Sequence, residues 1–200
     1  MKKLVLLCMC AFAAFAADNQ VRIEGVFVSD KIAHVQANGV RFTDTIDTKK
    51  QGLMVELRTE MLQDRNTTVK VFTNNVQTGT KVLENVPSYA SASLVKQDIV
   101  KLSPLSVGAK VGYKQLFGPN SNAALLVFEP RARLDMGAAT LRFAYEMNNS
   151  FDSNRNIKFN AKKVAVDYKL LDMMGLTVGY EDYRGYIKRA IWTGGLVFQF

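Results

Sequence analysis

The sequence predicts an all-β fold, an antiparallel transmembrane β-barrel of about twelve strands, with eight or ten as the other even counts open. Three observations predict it. Segment after segment alternates apolar and polar side chains with a period of two residues, the period of a β-strand. One such segment runs to Phe200, with Ala190, Trp192, Gly194, Leu196, Phe198 and Phe200 on one face and Ile191, Thr193, Gly195, Val197 and Gln199 on the other. The chain opens on an export-type leader, and no later stretch stays apolar for the roughly 20 residues that a spanning helix needs.

Lys2 and Lys3 precede an apolar run from Leu4 to Phe15, and small residues stand at Ala14, Ala16 and Ala17. This is the pattern of a cleavable secretory signal, too short for a membrane anchor. Residues 1–16 are therefore assigned to the signal and residues 17–200 to a single barrel domain. Cys8 and Cys10 follow Leu7 and Met9, where lipid attachment requires a small side chain, so lipidation is not expected. Both cysteines lie in the leader, which leaves residues 17–200 without disulfides or thiolate metal sites. Of 26 Lys and Arg, two are in the leader, so 24 basic residues face 18 acidic ones, a net charge of +6. That excess is moderate, and without a recognition motif it does not point to nucleic acid.

Val21, Ile23, Gly25 and Phe27 form the opening strand. Residues 35–43 are a candidate whose faces are ambiguous. Leu53, Val55, Leu57, Thr59 and Met61 alternate with Glu56, Arg58 and Glu60, and residues 68–74, 80–86 and 91–102 are further ambiguous candidates. From Leu105 the pattern clears: Leu105, Val107, Ala109, Val111 and Tyr113 oppose Ser106, Gly108, Lys110, Gly112 and Lys114. After the polar FGPNSN loop, Leu126, Phe128, Ala132 and Leu134 point out and Glu129, Arg131 and Arg133 point in; Pro130 is the weak point, because it removes a ladder hydrogen bond. A DMG turn leads to Ala139, Leu141, Phe143, Tyr145 and Met147 against Thr140, Arg142, Ala144 and Glu146. Beyond the NNSFDSNRN loop, Val164, Val166, Tyr168 and Leu170 face out and Lys163, Ala165, Asp167 and Lys169 face in, with residues 157–162 polar enough to project past a bilayer. LDMMG then turns the chain into Leu176, Val178 and Tyr180 against Thr177, Gly179 and Glu181. Short turns alternate with longer polar loops, as barrels of this kind require.

The competing fold is an exported β-sandwich, which would bury the apolar faces together. Against it stand the persistence of those faces through the second half, the aromatics Tyr113, Phe143, Tyr145, Tyr168, Tyr180 and Trp192 on them, and the charges and glycines opposite. The terminal aromatic strand together with the leader resembles Gram-negative outer-membrane β-barrel proteins. That resemblance implies an outer-membrane location after signal cleavage, with lipid and lipopolysaccharide as surroundings.

No enzyme is expected. His34, in KIAHVQ, is the only histidine and has no serine nucleophile motif beside it, and GxSxG, HExxH and CxxC are absent. No cofactor and no metal site is expected. The inward faces between residues 105 and 170 carry Lys110, Lys114, Arg131, Arg133, Arg142, Lys163 and Lys169 against Glu129, Glu146 and Asp167, a basic excess. In a sealed interior such rows must be paired, giving a closed barrel that serves as an anchor or adhesin; in a water-filled one they concentrate anions. The excess favours a pore for small anionic solutes. In length, short loops and a basic lumen track the chain is similar to the small monomeric oligogalacturonate-specific porins. This second resemblance implies a monomeric channel with Arg131, Arg133 and Arg142 as its track.

Overall fold

The computed structural model describes residues 20–30, 36–50, 53–63, 68–73, 76–82, 88–117, 122–151 and 157–199. The segment expected to be a signal, residues 1–16, and His34 and Phe200 lie outside them. Among the described residues twelve strands run in chain order: β1 (Gln20–Asp30), β2 (Gln36–Lys50), β3 (Leu53–Gln63), β4 (Thr68–Thr73), β5 (Val76–Val82), β6 (Ser88–Leu102), β7 (Leu105–Phe117), β8 (Ala123–Met136), β9 (Ala139–Ser150), β10 (Lys158–Leu171), β11 (Met174–Gly185) and β12 (Arg189–Gln199). Ten of them close into one antiparallel barrel in the order β1-β12-β11-β10-β9-β8-β7-β6-β3-β2. The other two, β4 and β5, pair with each other as a separate hairpin, and β3 pairs directly with β6. Of the strand counts the sequence left open, the barrel takes ten.

Closure is made by β1 on β12, from Gln20↔Gln199 to Asp30↔Arg189. A closed sheet has no free edge, so each of the ten strands has a hydrogen-bonded neighbour on both sides. The apolar faces point outward. Phe27, Leu94, Val111, Phe143, Val166, Tyr168, Val178 and Trp192 are all at least 42% exposed, which is the reverse of a sandwich, where those faces would be shared. Tyr180 and Trp192 pack on this outer surface with ring centroids 4.7 Å apart.

Proline acts where the sequence places it. β8 pairs with β7 through Ala109↔Pro130, yet on its β9 side the ladder passes from Phe128↔Met147 to Arg131↔Ala144, missing Glu129 and Pro130. Pro130 has no N–H to offer that neighbour. The two-residue β8–β9 turn uses Gly137 at φ +74°, a conformation glycine adopts without strain. Short turns gather at one end of the barrel with Gln20 and Gln199; the other end carries the longer connections.

The charged lumen as candidate functional site

Inward side chains divide the lumen into three levels, each drawn from strands all around the barrel. At the long-loop end Val28 of β1, Tyr89 of β6, Leu116 of β7, Leu125 of β8, Phe159 and Ala161 of β10, Tyr183 of β11 and Ile191 of β12 meet in one buried cluster, joined by Ile157 and Ile187. Each is at most 8% exposed. Of residues 157–162, expected to be polar enough to project past a bilayer, Lys158 to Lys162 belong to β10, and Phe159 and Ala161 turn into the barrel. Polar Lys158, Asn160 and Lys162 take the outside.

A signal for this level exists in the sequence. In β10 the apolar face is inward up to Ala161 and outward from Val164, and the change of face falls on the adjacent pair Lys162-Lys163. In β11 the same inversion falls on Glu181-Asp182, between outward Tyr180 and inward Tyr183. Two consecutive charges in a strand mark the level at which the outer surface stops being apolar.

Below that cluster, charges interlock. Cross-strand register sets Glu24, Arg41 and Glu60 side by side on β1, β2 and β3. Arg41 donates to Glu60 at 2.6 Å and to Glu181 across the lumen at 2.7 Å, and the Tyr183 hydroxyl donates to Glu181 at 2.9 Å. Arg189 lies 3.5 Å from Glu60 and 4.9 Å from the Tyr183 ring. A second network joins β3, β7, β8, β9 and β10. Lys110 is 3.2 Å from both Glu56 and Glu129, Lys163 donates to Glu129 at 2.8 Å, and Lys114 and Lys163 both donate to Glu146, which also accepts from Asn148 at 2.9 Å. Arg131 donates to Glu56 at 2.9 Å and to Glu129 at 2.7 Å. Buried ions require this pairing, because an isolated charge in a low-dielectric site is strongly disfavoured.

Toward the short turns the lumen opens into a cavity of about 860 Å³. Its floor is the ionic network and its mouth lies at Asp135, Gly137, Asp172 and Gln199. Arg22 grips Asp167 with two bonds of 2.8 Å, and Arg142 reaches the same carboxylate at 2.8 Å. Arg133 and Arg142 stand directly opposite in register, a like-charge pair relieved by Asp135 at 2.8 Å from Arg133 and by Asp167. At the mouth exposed Lys169 bridges to Asp172 at 2.7 Å, and this hydrogen bond holds the Asp172 carboxyl below its usual range.

All the residues expected to line the lumen are on the inward face, but at three depths. Lys110, Lys114, Glu129 and Glu146 are locked in the buried network; Arg131 and Lys163 bridge it to the chamber; Arg133 and Arg142 line the chamber and Lys169 its rim. Carboxylates from elsewhere, Glu24 of β1, Glu56 and Glu60 of β3 and Glu181 of β11, are matched in number by Arg22, Arg41, Arg58 and Arg189, so the basic excess counted over four strands persists. Arg22, Glu24, Arg41 and Arg189 were not singled out from sequence, although Arg22 and Glu24 alternate with Val21, Ile23 and Gly25 and were readable from that period. Among the described residues no group of three or more His, Cys, Asp or Glu side chains gathers as a metal site.

No family model and no curated protein matches the chain. Among solved structures it is similar to the translocator domain of the autotransporter NalP from Neisseria meningitidis, at 8% identity over 100% of this chain and 94% of that one, with a TM-score of 0.47. It is similar to outer membrane phospholipase A from Escherichia coli at 8% identity over 94% and 92% of the two chains, TM-score 0.45. Its similarity to the KdgM porin is 9% identity over 92% and 99%, TM-score 0.42.

Proposed function

We propose that this chain is an integral β-barrel protein of the Gram-negative outer membrane, exported by its leader, and that it acts there without catalysis as a closed barrel, a membrane anchor or surface-binding protein with a basic chamber facing the short-turn side. The outward apolar belt with its aromatics supports the membrane location, since so wide an exposed apolar surface is not held in water. The single observation that carries the closed reading is the lumen filling at the long-loop end, where Tyr89, Leu125, Phe159, Tyr183 and Ile191 meet above paired ions. Opening a continuous path would expose those apolar groups to water and separate buried charges, both costly. Planar-bilayer recording on the folded protein checks this: a silent membrane is expected, and a steady ohmic conductance overturns it. A shift in gel migration between unheated and heated samples establishes that the barrel in the assay is folded.

A second reading, a channel for small anionic solutes, is favoured by one observation, the arginine-lined chamber. If current does flow, Arg131→Ala with Arg133→Ala should lower its anion preference, and a cation preference in the unaltered protein would remove this reading.

A further inference from the structure

The chamber wall holds a group of donors that the protein leaves without acceptors. Register sets Arg22 of β1 opposite Thr43 of β2, and Thr43 opposite Arg58 of β3, so the three inward side chains form one transverse row. Thr43 is 2% exposed and its hydroxyl has no partner. The Nε atoms of Arg58 and, from β9, Arg142 are also buried without partners. All four residues line the same chamber. Buried polar groups are normally hydrogen-bonded, and donors left over in one cavity, Thr43 and Arg58 on adjacent strands and Arg142 across the lumen on β9, call for an acceptor.

Charge points the same way. Arg22 and Arg142 share the single carboxylate of Asp167. Arg58 sits 3.6 Å from Glu56, whose oxygens are already taken by Lys110 at 3.2 Å and Arg131 at 2.9 Å. Over the whole chamber lining eight Arg and Lys stand against seven Asp and Glu, a small positive excess, and guanidinium forks match the geometry of oxyanions. Glu24, the next inward residue on β1, accepts from Thr193 at 3.3 Å and bounds the site on the lumen side. A ligand rich in acceptors and carrying negative charge satisfies both the orphan donors and the surplus charge.

We infer that Arg22, Thr43, Arg58 and Arg142 form a binding site for a small oxyanion, the carboxylate or phosphate group of a solute that enters the chamber at the short-turn end. The inference rests on the chamber being open at that end and is independent of whether the long-loop end conducts.

Calorimetric titration of the folded full-length chain in detergent, in low-chloride buffer, with sodium phosphate and separately with sodium acetate, tests it. A saturable isotherm with at least one of the two anions is expected, the stronger identifying the phosphate or carboxylate preference. Arg58→Gln, which removes a charged donor, should weaken it about tenfold, and the near-isosteric Thr43→Val several-fold. Lys162→Gln removes one positive charge from the outer surface and should leave the isotherm unchanged. Gel migration before and after heating confirms that each variant is folded, and Thr43→Val keeps the test available should Arg58→Gln not fold. The inference is overturned by folded protein that binds neither anion saturably, by both site variants binding as tightly as the unaltered chain, or by Lys162→Gln weakening binding as much as they do. Because binding is read without current, its failure is separate from any result in the bilayer.

Discussion

Glu146 shows how little freedom single residues have inside this barrel. It accepts from Lys114, Lys163 and Asn148 and is fully buried, so neutralising it leaves the buried Lys114 ammonium without its carboxylate and takes from Lys163 one of its two, Glu129 being the other. Glu146→Gln should therefore cost about 3–5 kcal/mol in urea unfolding followed by intrinsic fluorescence or gel migration. Lys169→Ala, which cuts a solvent-exposed pair at the rim, should leave the same transition unmoved. The identity of the lumen charges was readable in the sequence, because Lys110, Glu129, Arg142 and Lys163 fall opposite apolar neighbours in clean alternation. Their partners were not. Arg41 meets Glu181 over a separation of 140 residues, and Arg22 meets Asp167 over 145; only barrel closure makes them neighbours. Gly112 is a further case in which the reason for a residue lies across the sheet, since a Cβ there would come within 2.1 Å of the Ser93 hydroxyl on β6.

Strands of the second half were legible because they keep a period of two along the apolar belt, the register shift of β10 between Lys169 and Leu171 falling at its end. β2 and β6 were not, and the structure gives the cause. On β6 a register shift between Lys96 and Val100 inserts extra residues that break the period; on β2 the shift, between Asp47 and Lys50, lies beyond residues 35–43, where polar Asn38 and Asp44 share the outward face with Val40 and Phe42. β2 continues to Lys50 although its alternation fades after residue 43, and β6 exposes consecutive Ile99 and Val100. The inversion of faces at Lys162-Lys163 and Glu181-Asp182 conveys depth as well as direction: apolar side chains point outward only along the belt and inward beyond it. Outward positions within the belt should then resist charge while inward ones carry it. Val178→Arg, midway along β11 and 57% exposed, should destabilise the barrel in lipid by about 2–4 kcal/mol. Reversible folding into bilayers measures this, and a neutral outcome would contradict a lipid-facing β11.

For the whole molecule, the decisive property is how ten inward faces share one lumen. With fewer strands the interior is filled by side chains, and with many more it holds a water channel; here it does both at different levels, packed at the long-loop end and hollow at the short-turn end. If the packed level is what closes the barrel, thinning it should open it. Phe159→Ala combined with Tyr183→Ala removes two rings whose centroids lie 6.0 Å apart in the seal. This double variant is expected to pass current in planar bilayers with a preference for anions, set by the arginines of the chamber, while the unaltered protein stays silent. A folded double variant that remains silent would show that the ionic level closes the path by itself. By itself the sequence determined that the chain is a barrel, which faces of β7 to β12 look outward along the belt and which charged residues of β7 to β10 look inward, because a two-residue period is a local property of consecutive side chains. Only the tertiary structure decided that ten strands close while β4 and β5 stand apart, that Glu56 of β3 meets Lys110 and Arg131 while Glu181 of β11 meets Arg41, and that apolar side chains gather at one end of the lumen. Those outcomes depend on which distant strands become neighbours, and pairing across a closed sheet is set by the register of the whole ring rather than by any one segment.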